Sequence, residues 1–173
     1  MKFFKIIMTL VFIVTVCGCI SNKENSSQLL TSIVNEYQDH EGYDEKEFPL
    51  GLFTKKFYQS EADFAKTILT RLSEVSEMAL SETEVISLKL LKFKLKDQID
   101  YFTFERFLNP LLSDAGFHSN LNYSVRPLSS YKAAKNYLNK LNAIPVFVDQ
   151  HFVNLREGLE KGVSQPKVIF NGY

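Results

Sequence analysis

The chain has 173 residues, of which 45% are hydrophobic, and its 20 basic side chains are balanced by 20 acidic ones. Seven glycines, five prolines and a charged fraction of 23% exclude a collagenous, low-complexity or wholly disordered chain. The zero net charge argues against a nucleic-acid partner, and the two cysteines, Cys17 and Cys19, are too few for a disulfide scaffold or a cysteine-rich zinc finger.

The start of the chain has the three-part layout of a secretory signal. Lys2 and Lys5 give a positive beginning, Ile6–Val16 is an apolar run, and polar residues follow Ile20. The apolar run is shorter than the roughly 20 residues that a membrane-spanning helix needs. We therefore predict a signal peptide at residues 1–18 rather than a permanent membrane span.

The end of this signal, Val16-Cys17-Gly18-Cys19, resembles the lipobox of bacterial lipoproteins. In such signals a small residue precedes the cysteine whose thiol takes a diacylglycerol, and the peptidase then cuts just before that cysteine. Gly18 meets this requirement for Cys19, whereas Cys17 follows a valine. Two or three acyl chains anchor a protein stably where one does not. We predict lipid attachment at Cys19; a plain signal peptide and an uncleaved helix are the alternatives.

Residues 19–27 are polar and lack periodicity, so they are predicted to form a short tether. No aspartate retention signal follows Cys19, which by resemblance to other lipoproteins favours the periplasmic side of an outer membrane, where the cell has one. The membrane is thus the expected partner, through the lipid anchor. No nucleic-acid partner is expected, and the sequence does not indicate a protein partner.

Apolar residues spaced three and four apart predict five amphipathic helices in residues 28–173, which we assign to one helical domain of all-α class. Their expected ranges are about 27–40, 60–79, 81–108, 129–141 and 145–161. Ser60 with Asp63 and Ser81 with Glu84 each resemble a capping box and are predicted to begin the second and third helices.

The third helix is predicted to end at Asn109-Pro110, because a residue before proline avoids the α region. An ordered loop is expected at 111–127, with a short strand at 121–125 as one option. Pro145 is predicted to lie in the first turn of the fifth helix, which would then form an antiparallel hairpin with the fourth, and Gly162 to end it. The expected inward residues are Tyr131, Ala134, Leu138, Leu141, Val148, Phe152, Leu155 and Leu159.

The histidines suggest no metal site. His40-Glu41 resembles the start of a His-Glu-x-x-His zinc motif, but Asp44 stands where the second histidine belongs. His118 and His151 have no histidine or cysteine near them in sequence, and His151 is predicted to be a partly buried or solvated helix residue. We predict no metal ligand and no cofactor.

Nucleophilic and acid–base motifs are equally weak. No Gly-x-Ser-x-Gly or phosphate-binding glycine pattern occurs, and Ser113-Asp114 is predicted to cap or turn the chain. The carboxylate pairs Asp97/Asp100 and Glu74/Glu77 are predicted to be solubilising charge. The lysines of residues 89–96 are expected to be a solvated flank, although they could meet anionic lipid. No catalytic residue is therefore predicted.

From Ser60 onward the order of features resembles the N-terminal part of a bacterial domain-of-unknown-function family, number 885. The most distinctive segments are Tyr137–Pro145, of pattern Tyr-Leu-x-x-Leu-x-x-Ile-Pro, and Leu155–Pro166, which begins Leu-Arg-x-Gly-x-x-x-Gly. Further support comes from Leu108-Asn109-Pro110 with Gly116, and from Arg126-Pro127.

The resemblance implies a large helical bacterial protein, often a lipoprotein, similar to zinc metallopeptidases whose His-Glu-x-x-His helix lies far downstream. This sequence stops at Tyr173 without matching residues, so we expect a truncated, non-catalytic N-terminal segment with the family's fold and envelope location. Two alternatives stay open: a short envelope lipoprotein that binds a partner, and one half of a zinc peptidase completed in trans.

Overall fold

The computed structural model describes residues 24–111, 116–121 and 128–170. These residues form five α-helices and no strand beyond one isolated bridge between Leu111 and Gly116. The prediction of an all-α fold is therefore confirmed. The helices are α1 at 24–38, α2 at Lys55–Leu72, α3 at Glu82–Thr103, α4 at Phe117–Asn120 and α5 at Tyr131–Glu160.

Single turns of 3₁₀-helix accompany these helices at Glu77–Ala79, Arg106–Leu108 and Lys167–Phe170. The predicted signal peptide and Cys19 lie outside the described residues, as does the optional strand at 121–125 beyond Leu121.

The described residues divide into two units. Unit 1 comprises those up to His40 together with Phe64–Asp97, and unit 2 comprises those of Glu41–Asp63 and Gln98–Tyr173. Unit 1 has an aliphatic core contributed by α1, α2 and α3. Its buried side chains are Leu30, Ile33, Ala65, Ile68, Leu72, Val75, Leu88, Leu91 and Leu95.

Helix α2 begins at Lys55 rather than at Ser60, so the predicted capping box at Ser60 is wrong. Thr54 performs the capping: its hydroxyl accepts a hydrogen bond of 3.2 Å from the N–H of Phe57, and its carbonyl accepts one from Tyr58. Ser60 lies inside the helix, where its hydroxyl donates to the carbonyl of Phe57. A serine or threonine hydroxyl can cap the start of a helix or donate to a carbonyl of the preceding turn inside it. The sequence pattern alone did not distinguish these two roles for Ser60.

The capping box at the start of α3 is confirmed. The N–H and the hydroxyl of Ser81 both donate to a carboxylate oxygen of Glu84, at 2.8 and 2.6 Å. In return the N–H of Glu84 donates to the Ser81 hydroxyl at 3.4 Å. The helix ends earlier than expected, at Thr103, because Glu105 takes a left-handed backbone conformation with φ of 49°. Proline therefore does not stop this helix.

Helix α5 is one continuous helix, and the predicted hairpin with a break before Pro145 is wrong. Ser130 caps its start, accepting a hydrogen bond of 3.1 Å from the N–H of Ala133. Pro145 lies in the middle, although proline in a helix interior costs roughly 3 kcal/mol. Packing of the turns that follow against the rest of unit 2 outweighs this cost, because tertiary contacts supply most of a helix's stability.

The C-terminal end of α5 matches the prediction at Gly162. This glycine has a φ of 78°, and its N–H donates to the carbonyl of Leu159 while that of Val163 donates to the carbonyl of Gly158. These two bonds form a Schellman motif, which requires a left-handed residue. Nothing lies within 4 Å of a Cβ added at Gly162, so its backbone conformation is what selects glycine.

The buried face of α5 lies one residue earlier in register than predicted. Phe147, His151, Asn154 and Gly158 are buried, whereas Phe152 is exposed. Of the other residues predicted to face inward, Tyr131, Leu138, Leu141 and Leu159 are exposed, and Ala134, Val148 and Leu155 are half-buried. A shift of one position turns a helix face by about 100°. The largest apolar residues therefore did not mark the buried face.

Candidate functional site

Unit 2 contains a cluster of aromatic rings around His151. The ring of Phe117 stacks on it at a centroid distance of 4.4 Å, Phe53 lies at 4.5 Å, and Phe147 meets it edge-on at 4.7 Å. These three phenylalanines come from α4, from the segment before α2 and from α5. The cluster therefore joins parts of the chain that are distant in sequence.

The imidazole of His151 is buried, with 5% of its surface exposed. Within the described part of the chain neither ring nitrogen has a hydrogen-bond partner. Burial lowers the pKa of His151 from 6.5 to about 4, because the charged form would lose its hydration. At neutral pH the side chain is therefore uncharged. We predicted a partly buried or solvated histidine, and the structure buries it more deeply than that.

Two amide side chains of α5 hold the backbone of Phe53. Gln150 accepts a hydrogen bond of 2.5 Å from its N–H, and Asn154 donates one of 2.8 Å to its carbonyl oxygen. The backbone N–H and the backbone carbonyl of Phe53 are thereby both hydrogen-bonded to side chains of α5, much as a neighbouring strand would pair them. The clamp fixes the segment 46–54 along α5.

A cleft lies beside this clamp, between the segment 46–51 and the middle of α5. It has a volume of about 350 Å³ and continues into a second depression of about 550 Å³ along the same segment. The polar side chains of α5 that line the two depressions are Asn136, Asn139, Lys140, Asn142 and Gln150. Phe48, Pro49 and Leu50 line the opposite wall.

The described lining of this cleft offers hydrogen-bonding and charged groups, without a hydroxyl or thiol paired with an imidazole base. Asn139 and Asn142 each carry two N–H donors and one carbonyl acceptor, and Lys46 and Glu47 add one charge of each sign. Tyr43 supplies the one hydroxyl, and no serine, threonine, cysteine or histidine lines either depression. The arrangement is suited to holding a neutral polar ligand.

Sequence reasoning missed this site. Asn136, Asn139 and Asn142 follow one another at intervals of three, which places them on one side of a helix. That spacing was visible in the sequence. It was overlooked because the segment was predicted to end at Leu141, so the three amides could not be placed on one helix with Gln150.

Several of the residues that the sequence analysis considered for chemistry lie in the described part of the chain. The His40 ring stacks on Phe64 at 3.6 Å, and His118 is exposed beside Phe117. The acidic pairs Asp97/Asp100 and Glu74/Glu77 are exposed. Ser113-Asp114 and Cys19 lie outside the described residues.

The donor set for zinc does not come together in the described residues. A catalytic zinc takes three protein ligands, and no three His, Cys, Asp or Glu side chains in residues 24–111, 116–121 and 128–170 are placed to share a metal ion. Glu41, next to His40, is exposed. These residues do not fit the zinc ion that the family resemblance implies, and we assign none of them a role in zinc chemistry.

A surface network of four charged side chains joins the ends of three segments of unit 2. Glu157 contacts Lys55 at 2.6 Å and Lys161 at 3.0 Å, and Lys161 contacts Glu105 at 2.5 Å. The hydrogen bonds from Lys55 and Lys161 lower the pKa of Glu157, and those to Glu105 and Glu157 raise the pKa of Lys161. Exposed ion pairs of this kind contribute little to the free energy of unfolding. The network links the start of α2 and the turn after α3 to the end of α5.

Fold and cleft together define an all-α protein with an amide-lined cleft in unit 2. The model of the family described as bacterial protein of unknown function (DUF885) matches residues 37–173, and the chain belongs to that family. Comparison with curated proteins and with solved structures found no match. Of the helices that the structure describes, none combines the length and the apolar composition needed to cross a membrane.

Proposed function

We propose that this chain is a lipid-anchored lipoprotein of the bacterial envelope that has no catalytic activity of its own. The observation that carries the proposal is the motif Val16-Cys17-Gly18-Cys19 at the end of a short apolar run with a basic start. Cys19 takes the lipid, and residue 24, the first described residue of helix α1, follows it by five positions. Without an aspartate beside Cys19, the outer membrane is the destination that we favour.

The side chains that line the cleft of unit 2 support the proposed lack of catalytic activity. Its described lining consists of amides, one lysine, one glutamate and apolar walls, and it includes no serine, threonine, cysteine or histidine that could form an activated nucleophile with its base. His151, which contacts the cleft-lining residue Phe147, is buried and is enclosed by phenylalanines. The metallopeptidase-like chemistry that the family resemblance implies would therefore require residues outside the described part of this chain.

The anchor is tested by metabolic labelling with palmitate in a bacterial host. We expect the full chain and its Cys17→Ser variant to incorporate label and to sediment with membranes. Cys19→Ser should lose the label and leave the membrane fraction. The two cysteines are two positions apart, so Cys17→Ser is a matched control for thiol removal. Labelling that persists in Cys19→Ser would refute the proposal.

The lack of activity is tested with the purified full chain. We expect no cleavage of a mixture of fluorescent peptides with added zinc, and no difference on adding a chelator. Chelator-sensitive cleavage that survives further purification would show that the chain is an enzyme.

A second function, binding of an amide-bearing envelope ligand, is favoured by the asparagine row of the cleft. Side-chain amides pair with peptide groups and with N-acetyl groups through one donor and one acceptor each. Soluble murein fragments carry both groups and serve as the probe.

We expect these fragments to bind the detergent-solubilised full chain saturably in calorimetry. The double variant Asn139→Ala/Asn142→Ala should weaken binding about tenfold, which corresponds to the loss of one or two hydrogen bonds. Asn35→Ala, an exposed amide of α1, is the control and should bind as the parent does. Equal heats from the parent and the double variant would exclude the cleft as the site.

A further inference from the structure

Helix α3 carries two apolar stripes on opposite sides. Leu88, Leu91 and Leu95 are buried in the core of unit 1. On the other side, Ile86, Leu90 and Phe93 are 59%, 64% and 72% exposed. Their spacing of four and three places them in one row, so they form a continuous outer stripe. We call these three residues the outer stripe.

Lysines flank the outer stripe on both sides. At 3.6 residues per turn, Lys89 and Lys96 lie along one side of it and Lys94 along the other. Between Val85 and Lys96 the helix has four lysines and no acidic residue. The Lys94 ammonium lies 5.6 Å from the centre of the Tyr37 ring, which keeps this lysine close to the helix surface.

Acidic residues mark the two ends of this surface. Glu82 lies in the first turn of α3, and Asp97 lies one turn after Phe93. The positive and apolar surface is therefore about three turns long.

The beginning of α3 is tied to the part of the chain nearest the proposed anchor. The hydroxyl of Ser27, in α1, donates a hydrogen bond to the carboxylate of Glu84. Cys19 lies five positions before residue 24, the first described residue of α1, a reach of at most about 18 Å for an extended chain. A lipid on Cys19 would therefore hold the Glu84 end of α3 near the bilayer.

From this geometry we infer that the outer stripe of α3 lies on the surface of an anionic bilayer. Ile86, Leu90 and Phe93 enter the headgroup region, and the flanking lysines meet lipid phosphates. Basic helices with an exposed apolar row bind interfaces in this way. The inference rests on the proposed anchor at Cys19, which makes the second contact effectively intramolecular.

The charge pattern favours a bilayer over a second copy of the chain. If two copies met through this stripe, the lysines of one would face those of the other, and like charges at close range are repulsive. An anionic bilayer supplies negative charge around an apolar interior and so matches both features. We therefore infer that the outer stripe contacts an anionic bilayer and not a second copy of the chain.

The test uses the absence of tryptophan from the chain, which makes Phe93→Trp a unique fluorescent reporter. The acylated full chain carrying this substitution is reconstituted in vesicles of phosphatidylglycerol and phosphatidylcholine, with and without brominated acyl chains. Tyr131→Trp, at an 86% exposed position of α5, is the control.

We expect brominated lipid to quench F93W at least about twofold more than Y131W, as insertion at the headgroup boundary requires. The difference should shrink in pure phosphatidylcholine and in the added triple variant Lys89→Gln/Lys94→Gln/Lys96→Gln. Acylated protein that sediments with vesicles while F93W remains unquenched would overturn the inference and leave the anchor standing. So would burial of F93W that depends on protein concentration, which would indicate a second copy.

Protein whose mass shows no acyl chains, and which stays in the supernatant, would overturn the proposed anchor and this inference with it. Mass spectrometry and sedimentation of the same samples thus separate the two failures.

Discussion

The side-chain amide of Asn154 donates a hydrogen bond of 2.8 Å to the carbonyl oxygen of Phe53, 101 residues earlier in the chain. Asn154 is 2% exposed, and Gln150 one turn before it holds the N–H of the same residue. A polar residue on the buried face of α5 thus fixes the segment that leads into α2. This contact explains why the buried face includes an asparagine instead of a leucine.

Asn154→Leu is expected to destabilise the protein by about 1–3 kcal/mol, because the Phe53 carbonyl would lose a buried partner. Urea unfolding of the purified chain, followed by circular dichroism, measures the change. Asn142→Ala, at an exposed position of the same helix, should leave the midpoint almost unchanged. Equal stability of Asn154→Leu and the parent would show that the hydrogen bond contributes nothing.

Gly158→Ala is expected to destabilise the fold by about 1–3 kcal/mol through steric overlap. A Cβ on Gly158 would lie 2.6 Å from the carbonyl oxygen of Leu108, so the 3₁₀ turn at Arg106–Leu108 would have to move.

The comparison for this substitution is Gly162→Ala. It meets no atom and should cost only about 1 kcal/mol, for its left-handed backbone. Thermal unfolding of the two variants distinguishes the causes. A larger loss in Gly162→Ala than in Gly158→Ala would contradict the close packing of α5 on this turn.

The buried His151 predicts a pH dependence of stability. Its pKa is about 4 in the folded protein and 6.5 in its ordinary state, so below pH 6.5 the unfolded chain binds more protons than the folded one. Stability should therefore be full above about pH 6.5, fall as the pH drops towards 4, and level off below. The loss attributable to this group is at most about 3–4 kcal/mol.

His151→Phe should remove this contribution and flatten the curve between pH 6.5 and 4. The free energy of unfolding in urea, measured at half-unit steps of pH for both proteins, gives the difference. Val153→Phe, at an exposed position of the same helix and without a titratable group, should keep the slope of the parent. An identical slope in His151→Phe would assign the pH dependence to other groups.

Two substitutions that each remove a hydroxyl test whether α2 is capped at Thr54 or at Ser60. Thr54→Ala is expected to cost about 1 kcal/mol, because the N–H of Phe57 loses its cap. Ser60→Ala should change stability by less than about 0.5 kcal/mol, since Ser60 is exposed and bonds only within its own turn. Denaturant midpoints of the two variants decide between the two possible starts. A loss confined to Ser60→Ala would place the helix start at Ser60.

Features that depend on neighbouring residues were predictable from the sequence. The box of Ser81 with Glu84, the cap at Ser130 and the left-handed Gly162 all follow from backbone groups within a few positions. The family was recognisable for the same reason, through short segments such as Leu155–Pro166, and its model matches residues 37–173.

Features that depend on distant residues were not predictable. Pro145 usually marks the beginning of a helix, and only the packing of the turns after it keeps α5 continuous. Phe147 and His151 are buried because Phe53 and Phe117 surround them, and no periodicity within α5 could show this.

The sequence by itself determined the all-α class, the capping box of α3, the left-handed residue that ends α5 and the lipobox motif, because each depends on local spacing. Only the tertiary structure decided which face of α5 is buried, where the amide-lined cleft lies, and that α3 keeps an exposed apolar stripe on the side opposite its buried one. Burial is a property of pairs of segments. A helix with apolar residues on several sides cannot specify which of them its neighbours will cover.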